Sequence, residues 1–69
     1  MKDGPEKRKI IKQAKAWRWR IAKAEKTQRE FAKEAGVTNT LLSQYTRGII
    51  IPSPLTIMRV EKKLAELKV

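Results

Sequence analysis

Residues 27–48 read TQREFAKEAGVTNTLLSQYTRG, and the fold turns on how that stretch is parsed. Thr27 followed three residues later by Glu30 is a capping box: the hydroxyl takes an orphan backbone N–H and the carboxylate reaches back to the cap's own N–H. Phe31, Ala32 and Ala35 then recur at helical spacing, and Gly36 stands where a left-handed residue stops a helix cheaply. Thr38 is the natural cap of a second short helix, which Gly48 ends. At about 100° per residue, Leu42 and Tyr45 share one side of that helix. Thr40, Ser43, Gln44 and Arg47 fall together on the other. The helix is therefore pinned by its back and offers a polar edge.

A polar edge on a short anchored helix is what insertion into the DNA major groove demands. The order Gln28, Phe31-Ala32, Ala35-Gly36-Val37, Leu42, Tyr45, Gly48 resembles the helix-turn-helix of the Cro and lambda-repressor-like (XRE-type) family. The likeness is close over these 22 residues and looser over the following 20. It implies that Gln28 clamps a phosphate, aided by the dipole of its helix, and that Asn39, Thr40, Ser43 and Gln44 approach base edges. Thr38 and Arg47 flank the reading surface as backbone contacts, with a guanine as the alternative target of Arg47. Two positions depart from the family pattern. Lys26 replaces an apolar residue that would staple onto Phe31, and the apolar Leu41 lies near the reading face. Leu41 suits either a thymine methyl or the edge of the core.

Sixty-nine residues make one small domain that buries only about 60% of its unfolded surface. Neither cysteine nor histidine is present. Disulfides, thiolate metal sites, and the commonest metal ligand and general base are thereby excluded. No apolar run approaches the roughly 18 residues of a membrane span, so a cytoplasmic, nucleoid-associated location is expected. Lys and Arg outnumber Asp and Glu by 17 to 7, a net charge of +10. Residues 1–26 carry ten basic groups and three acidic ones; residues 27–69 carry seven and four. Such a field attracts polyanions, and DNA binding gains from counterion release.

Outward from the central stretch, residues 1–5 predict a flexible arm and residues 6–26 one long basic helix. Ile10, Ala14, Trp17 and Ile21 form its apolar stripe. Trp19 shares the opposite face with Lys12, Lys15, Lys23 and Lys26. An indole in a lysine row suits three roles: an exposed ring covered by lysine stems with a cation–π benefit, a contact with a second subunit, or a stack on nucleic acid beside phosphate-binding lysines. A basic helix with tryptophans also fits an anionic membrane surface, but its apolar stripe is needed as a lid for Phe31, Leu42 and Tyr45.

On the other side, GIIIPSP is expected to run Ile49–Ile51 across the bottom of the core. Ser53 with Pro54 starts a last helix whose stripe is Ile57, Val60, Leu64 and Leu67, with Glu61 at the edge. Leu55 and Met58 point elsewhere, toward a possible second copy. The expected architecture is a single all-α, four-helix domain with helices at 6–26, 27–36, 38–47 and 53–68. It has no room for the fifth helix common in the family.

Ser43 and Ser53 are the only serines, without a partner base, and no glycine-rich phosphate loop occurs. The chain is expected to be no enzyme, with no cofactor, metal or small-molecule ligand. The expected partner is double-stranded DNA, bound by a homodimer across a near-palindrome with half-sites roughly 34 Å apart, as in a small bacterial or phage transcriptional regulator. Alternatives are a phage packaging or excision factor on the same fold and an RNA binder using the first helix with Trp19.

Overall fold

A computed structural model of the chain describes residues 5–69. The expected arm falls outside the described residues except for Pro5, which already belongs to the first helix. Among the described residues there are four helices and no strand: α1 Pro5–Lys23, α2 Gln28–Ala35, α3 Asn39–Thr46 and α4 Pro54–Glu66.

Three starts are chemical. Thr27 accepts the Glu30 N–H while the Glu30 carboxylate takes the Thr27 N–H, at 3.1 and 2.9 Å. Thr38 and Ser53 accept the N–H groups of Leu41 and Thr56. All four ends share one device, in which a left-handed residue turns the chain so that two successive N–H groups close onto the last turn. At the corner between α2 and α3, Gly36 (φ 80°) and Val37 donate to Lys33 and Ala32. Gly48 (φ 75°) and Ile49 do the same to Tyr45 and Gln44.

At the ends of α1 and α4 the left-handed residue is no glycine but Glu25 (φ 60°) and Lys68 (φ 59°). This corrects the first helix, expected to reach residue 26. It stops at Lys23 because Glu25 turns the chain to bring Thr27 to the head of α2, and a glutamate carries no stop signal. The other spans differ from expectation by the capping residues and, in α4, by the final turn.

The core takes Ala14, Trp17 and Ile21 from α1, Phe31, Ala32 and Ala35 from α2, Leu42 and Tyr45 from α3, and Val60 and Leu64 from α4. The small side chain of Ala32 lets α2 and α3 close on each other. Trp17 is fully buried and meets the Tyr45 ring edge-on, 6.3 Å between centroids. Its indole N–H donates to Glu61 Oε2 at 2.8 Å. One side chain thus joins α1, α3 and α4. Ile10 is only half-buried; Ile57 and Leu67 are half-buried against the core's rim. Of the isoleucine run, Ile50 packs against the core while both Ile49 and Ile51 are exposed. Two thus stay outside, because the chain leaves α3 through Gly48 and offers one inward position before the buried Pro52.

α3 rests mainly on α1 and α2, and α4 mainly on α2. Ala14, Trp17 and Ile21 of the apolar stripe of α1 are buried in this packing. Among the described residues no helix is long and apolar enough to cross a membrane.

Candidate nucleic-acid interface

α3 presents its polar edge because its back is fixed. Leu42 is fully buried and Tyr45 nearly so, while Asn39, Thr40 and Arg47 are exposed and Ser43 and Gln44 half-buried. Thr46, the buried polar residue of this helix, satisfies itself by donating to the Ser43 carbonyl at 2.9 Å. Among the described residues, no hydrogen bond or ion pair engages the side chains of Gln28, Asn39, Thr40, Ser43, Gln44 or Arg47. Thr38 differs: its oxygen already accepts the Leu41 N–H as a cap, and its O–H remains a donor. Leu41 is partly exposed beside this edge.

Gln28 opens α2 and lines a shallow dip with Ser43, Thr46 and Arg47, joined there by Arg18 from α1. Three of the residues singled out in the sequence therefore meet at one place. Arg18 was not among them. Helical phase puts it on the flank of the buried stripe, but only the packing of α3 on α1 makes that flank a wall of the dip.

The lysine row does not stay together. Lys12 and Lys15 gather with Arg8 around Ile11 on α1. Lys15 also crosses Gly48, where an added Cβ would come within 2.8 Å of its Cε. Lys23 is exposed in the last turn of α1. Lys26 leaves the row altogether, because α1 ends before it; its Nζ lies 2.9 Å from Glu34. Trp19 is 69% exposed, and the cation over its ring is Arg18, 5.8 Å from the centroid, rather than a lysine.

Every acidic group from Glu30 onward is engaged. Glu30 closes the cap of α2, and Glu34 meets Lys26 and Lys63 at 2.9 and 3.3 Å. Glu66 lies 3.6 Å from Lys63, and Glu61 is 2.9 Å from Arg20. The hydrogen bond and charge of Lys26 hold the Glu34 carboxyl below the ordinary range, and Glu34 raises Lys26 in return. The Thr27 N–H and hydroxyl lower Glu30. For Glu61 burial pushes upward, yet Gln13, Trp17 and Arg20 together hold it down. Residues 7–24 and 35–60 contain no acid at all. Among the described residues, Arg8, Lys12, Lys15, Arg18, Lys23 and Arg47 enter no ion pair. At these six positions, one at the end of α3 and five on α1, positive charge stands without a paired carboxylate.

Among the described residues no group of His, Cys, Asp and Glu is placed to hold a metal ion. Neither a curated protein nor a solved structure matches the chain. A family model described as helix-turn-helix matches residues 18–66, from the Arg18 wall of the dip to the end of α4. With the capped helix pair, the glycine corner and this match over most of its length, the chain belongs to the XRE-type, Cro/CI-like helix-turn-helix family and is a DNA-binding domain.

Proposed function

We propose that the protein binds double-stranded DNA sequence-specifically by setting α3 in the major groove, as a small transcriptional regulator of bacterial or phage type acting at the nucleoid. The observation that carries this reading is the uncommitted edge of α3: donors and acceptors of short and medium reach, exposed or half-exposed, with no hydrogen-bond partner among the described residues. Asn39, Thr40, Ser43 and Gln44 approach base edges, and Gln44 or Asn39 can pair bidentately with adenine for about 1–3 kcal/mol of discrimination. Gln28, Thr38 and Arg47 fix the register on the backbone. One such head binds weakly, so two copies on a near-palindrome, half-sites roughly 34 Å apart, supply affinity. Lys23 adds sequence-independent attraction. Lys26, already neutralised by Glu34, contributes less.

Selection from random duplexes tests this directly. The expected outcome is a short motif repeated as an inverted pair; recovery of no motif sinks the assignment. Hairpin RNA added as competitor should displace the selected duplex poorly, and displacement at equal concentration would favour an RNA target.

A further inference from the structure

α1, most of which precedes the stretch matched to the family, carries a cluster of cations that no carboxylate pairs among the described residues; one of them, Arg18, lies over the Trp19 ring. Arg8, Lys12, Lys15 and Arg18 follow one another at spacings of four, three and three. Successive members are therefore neighbours on the helix surface, where like charges repel. No acid lies between residues 7 and 24 to relieve them, and among the described residues none of the four has an ionic partner.

Their position is fixed relative to α3. The stem of Lys15 lies across Gly48, at the carbonyl-rich end of α3, with Ile11 beneath it. Arg8 and Lys12 continue outward from there around Ile11. In the other direction Arg18 enters the dip that holds Gln28, Ser43 and Arg47. The cations thus form a ridge that begins at the reading head and leads away from it. Arg8 to Arg18 spans ten residues, about 15 Å of helix. Along one DNA strand the same axial length carries about four phosphates.

We infer that Arg8, Lys12, Lys15 and Arg18 form a phosphate track, along which α1 follows the DNA backbone beyond the base pairs that α3 reads. The track rests on the duplex reading given above and extends it: it lengthens the footprint of each copy and adds affinity without sequence choice. At Gly48 (φ 75°) the missing side chain leaves the space that the Lys15 stem occupies.

The test uses the full chain, duplexes carrying the selected motif with flanks of a few base pairs or of about a full turn, and fluorescence anisotropy over a salt series. Arg8→Ala with Lys15→Ala should lower the slope of log affinity against log salt by about 2 on the long duplex, near 0.9 per lost phosphate contact. That is an affinity loss about 10-fold smaller across a fourfold rise in salt. On the short duplex the difference should shrink. Lys62→Ala with Lys68→Ala removes the same charge from exposed positions on α4 and just past its end, and should leave the slope unchanged. Equal effects of the two pairs, or no effect of the first, overturn the track. Failure of the underlying reading looks different: the unmodified chain would then bind the motif and a scrambled duplex alike.

Discussion

The edge of α3 and the junction of α1 with α4 use polar side chains in opposite ways. At the junction every group is spoken for. The Glu61 carboxylate accepts from Gln13, Trp17 and Arg20 at 2.8 to 2.9 Å, and Arg20 donates again to the Val69 oxygen. No buried side-chain polar atom lacks a partner among the described residues. On α3 the amides and hydroxyls of the outer edge are left open. Polar groups that hold a fold are saturated inside it, because an unpaired buried one costs about 1–3 kcal/mol; groups meant for a ligand stay unpaired where water can serve them meanwhile. Substitutions at the two places should therefore separate stability from recognition.

The largest effect is expected at Trp17. Trp17→Ala removes the ring packed on Tyr45 and strands one side of Glu61; a loss of about 3–5 kcal/mol is expected, much of the stability of a domain this small. Thermal unfolding followed by circular dichroism should show a broad, early transition or none. A melt close to that of the unmodified chain would mean the core does not hinge on this ring.

Glu61→Ala comes next, at about 1–3 kcal/mol, because three donors lose their acceptor at once. Its pH dependence has a definite sign. The folded-state pKa of Glu61 is lowered, so its contribution is present above the ordinary glutamate value, about 4.3, and is lost as pH falls through the lower folded value. The unmodified chain should lose stability on acidification below about pH 4, and the variant should lose less over the same interval. Parallel acid curves would remove Glu61 from the account. The preferred DNA site should be the same for both chains.

Gln44→Ala is the mirror case. Stability should stay within about 0.5 kcal/mol, as for most surface changes. The ratio of selected to scrambled duplex should fall by about 5- to 150-fold, with much non-specific binding retained. A uniform loss on every duplex would place Gln44 on the backbone rather than on a base.

These contrasts track what the sequence could and could not reveal. The cap of Thr27 with Glu30, the corner at Gly36 and the buried pair Leu42 and Tyr45 are local, readable from spacing alone because helical periodicity and capping act within a few residues. Glu61 looked like an edge residue because its partners lie 41 to 48 positions away, and nothing in its neighbours marks them. Arg18 is hidden from the sequence for the same reason: its flank of α1 becomes a wall of the dip only when α3 packs beside it. Lys26 belongs to the lysine face only if the helix continues past Lys23. It does not, and the residue turns instead to Glu34.

That early stop supplies the smallest and sharpest test. Glu25 adopts φ 60°, a conformation that costs a residue with a Cβ about 1–2 kcal/mol. Its charge also sits at the negative end of the α1 dipole, an unfavourable place for an acid. Glycine relieves both at once but widens the unfolded ensemble, a penalty of about 0.5–1 kcal/mol. Glu25→Gly should therefore gain a net of roughly 0.5–1 kcal/mol, a rise in melting temperature of about 2–8 °C. A fall instead would mean that α1 continues toward Lys26 in solution. The cation row would then be reunited on one face, and Lys26 would be available to DNA after all.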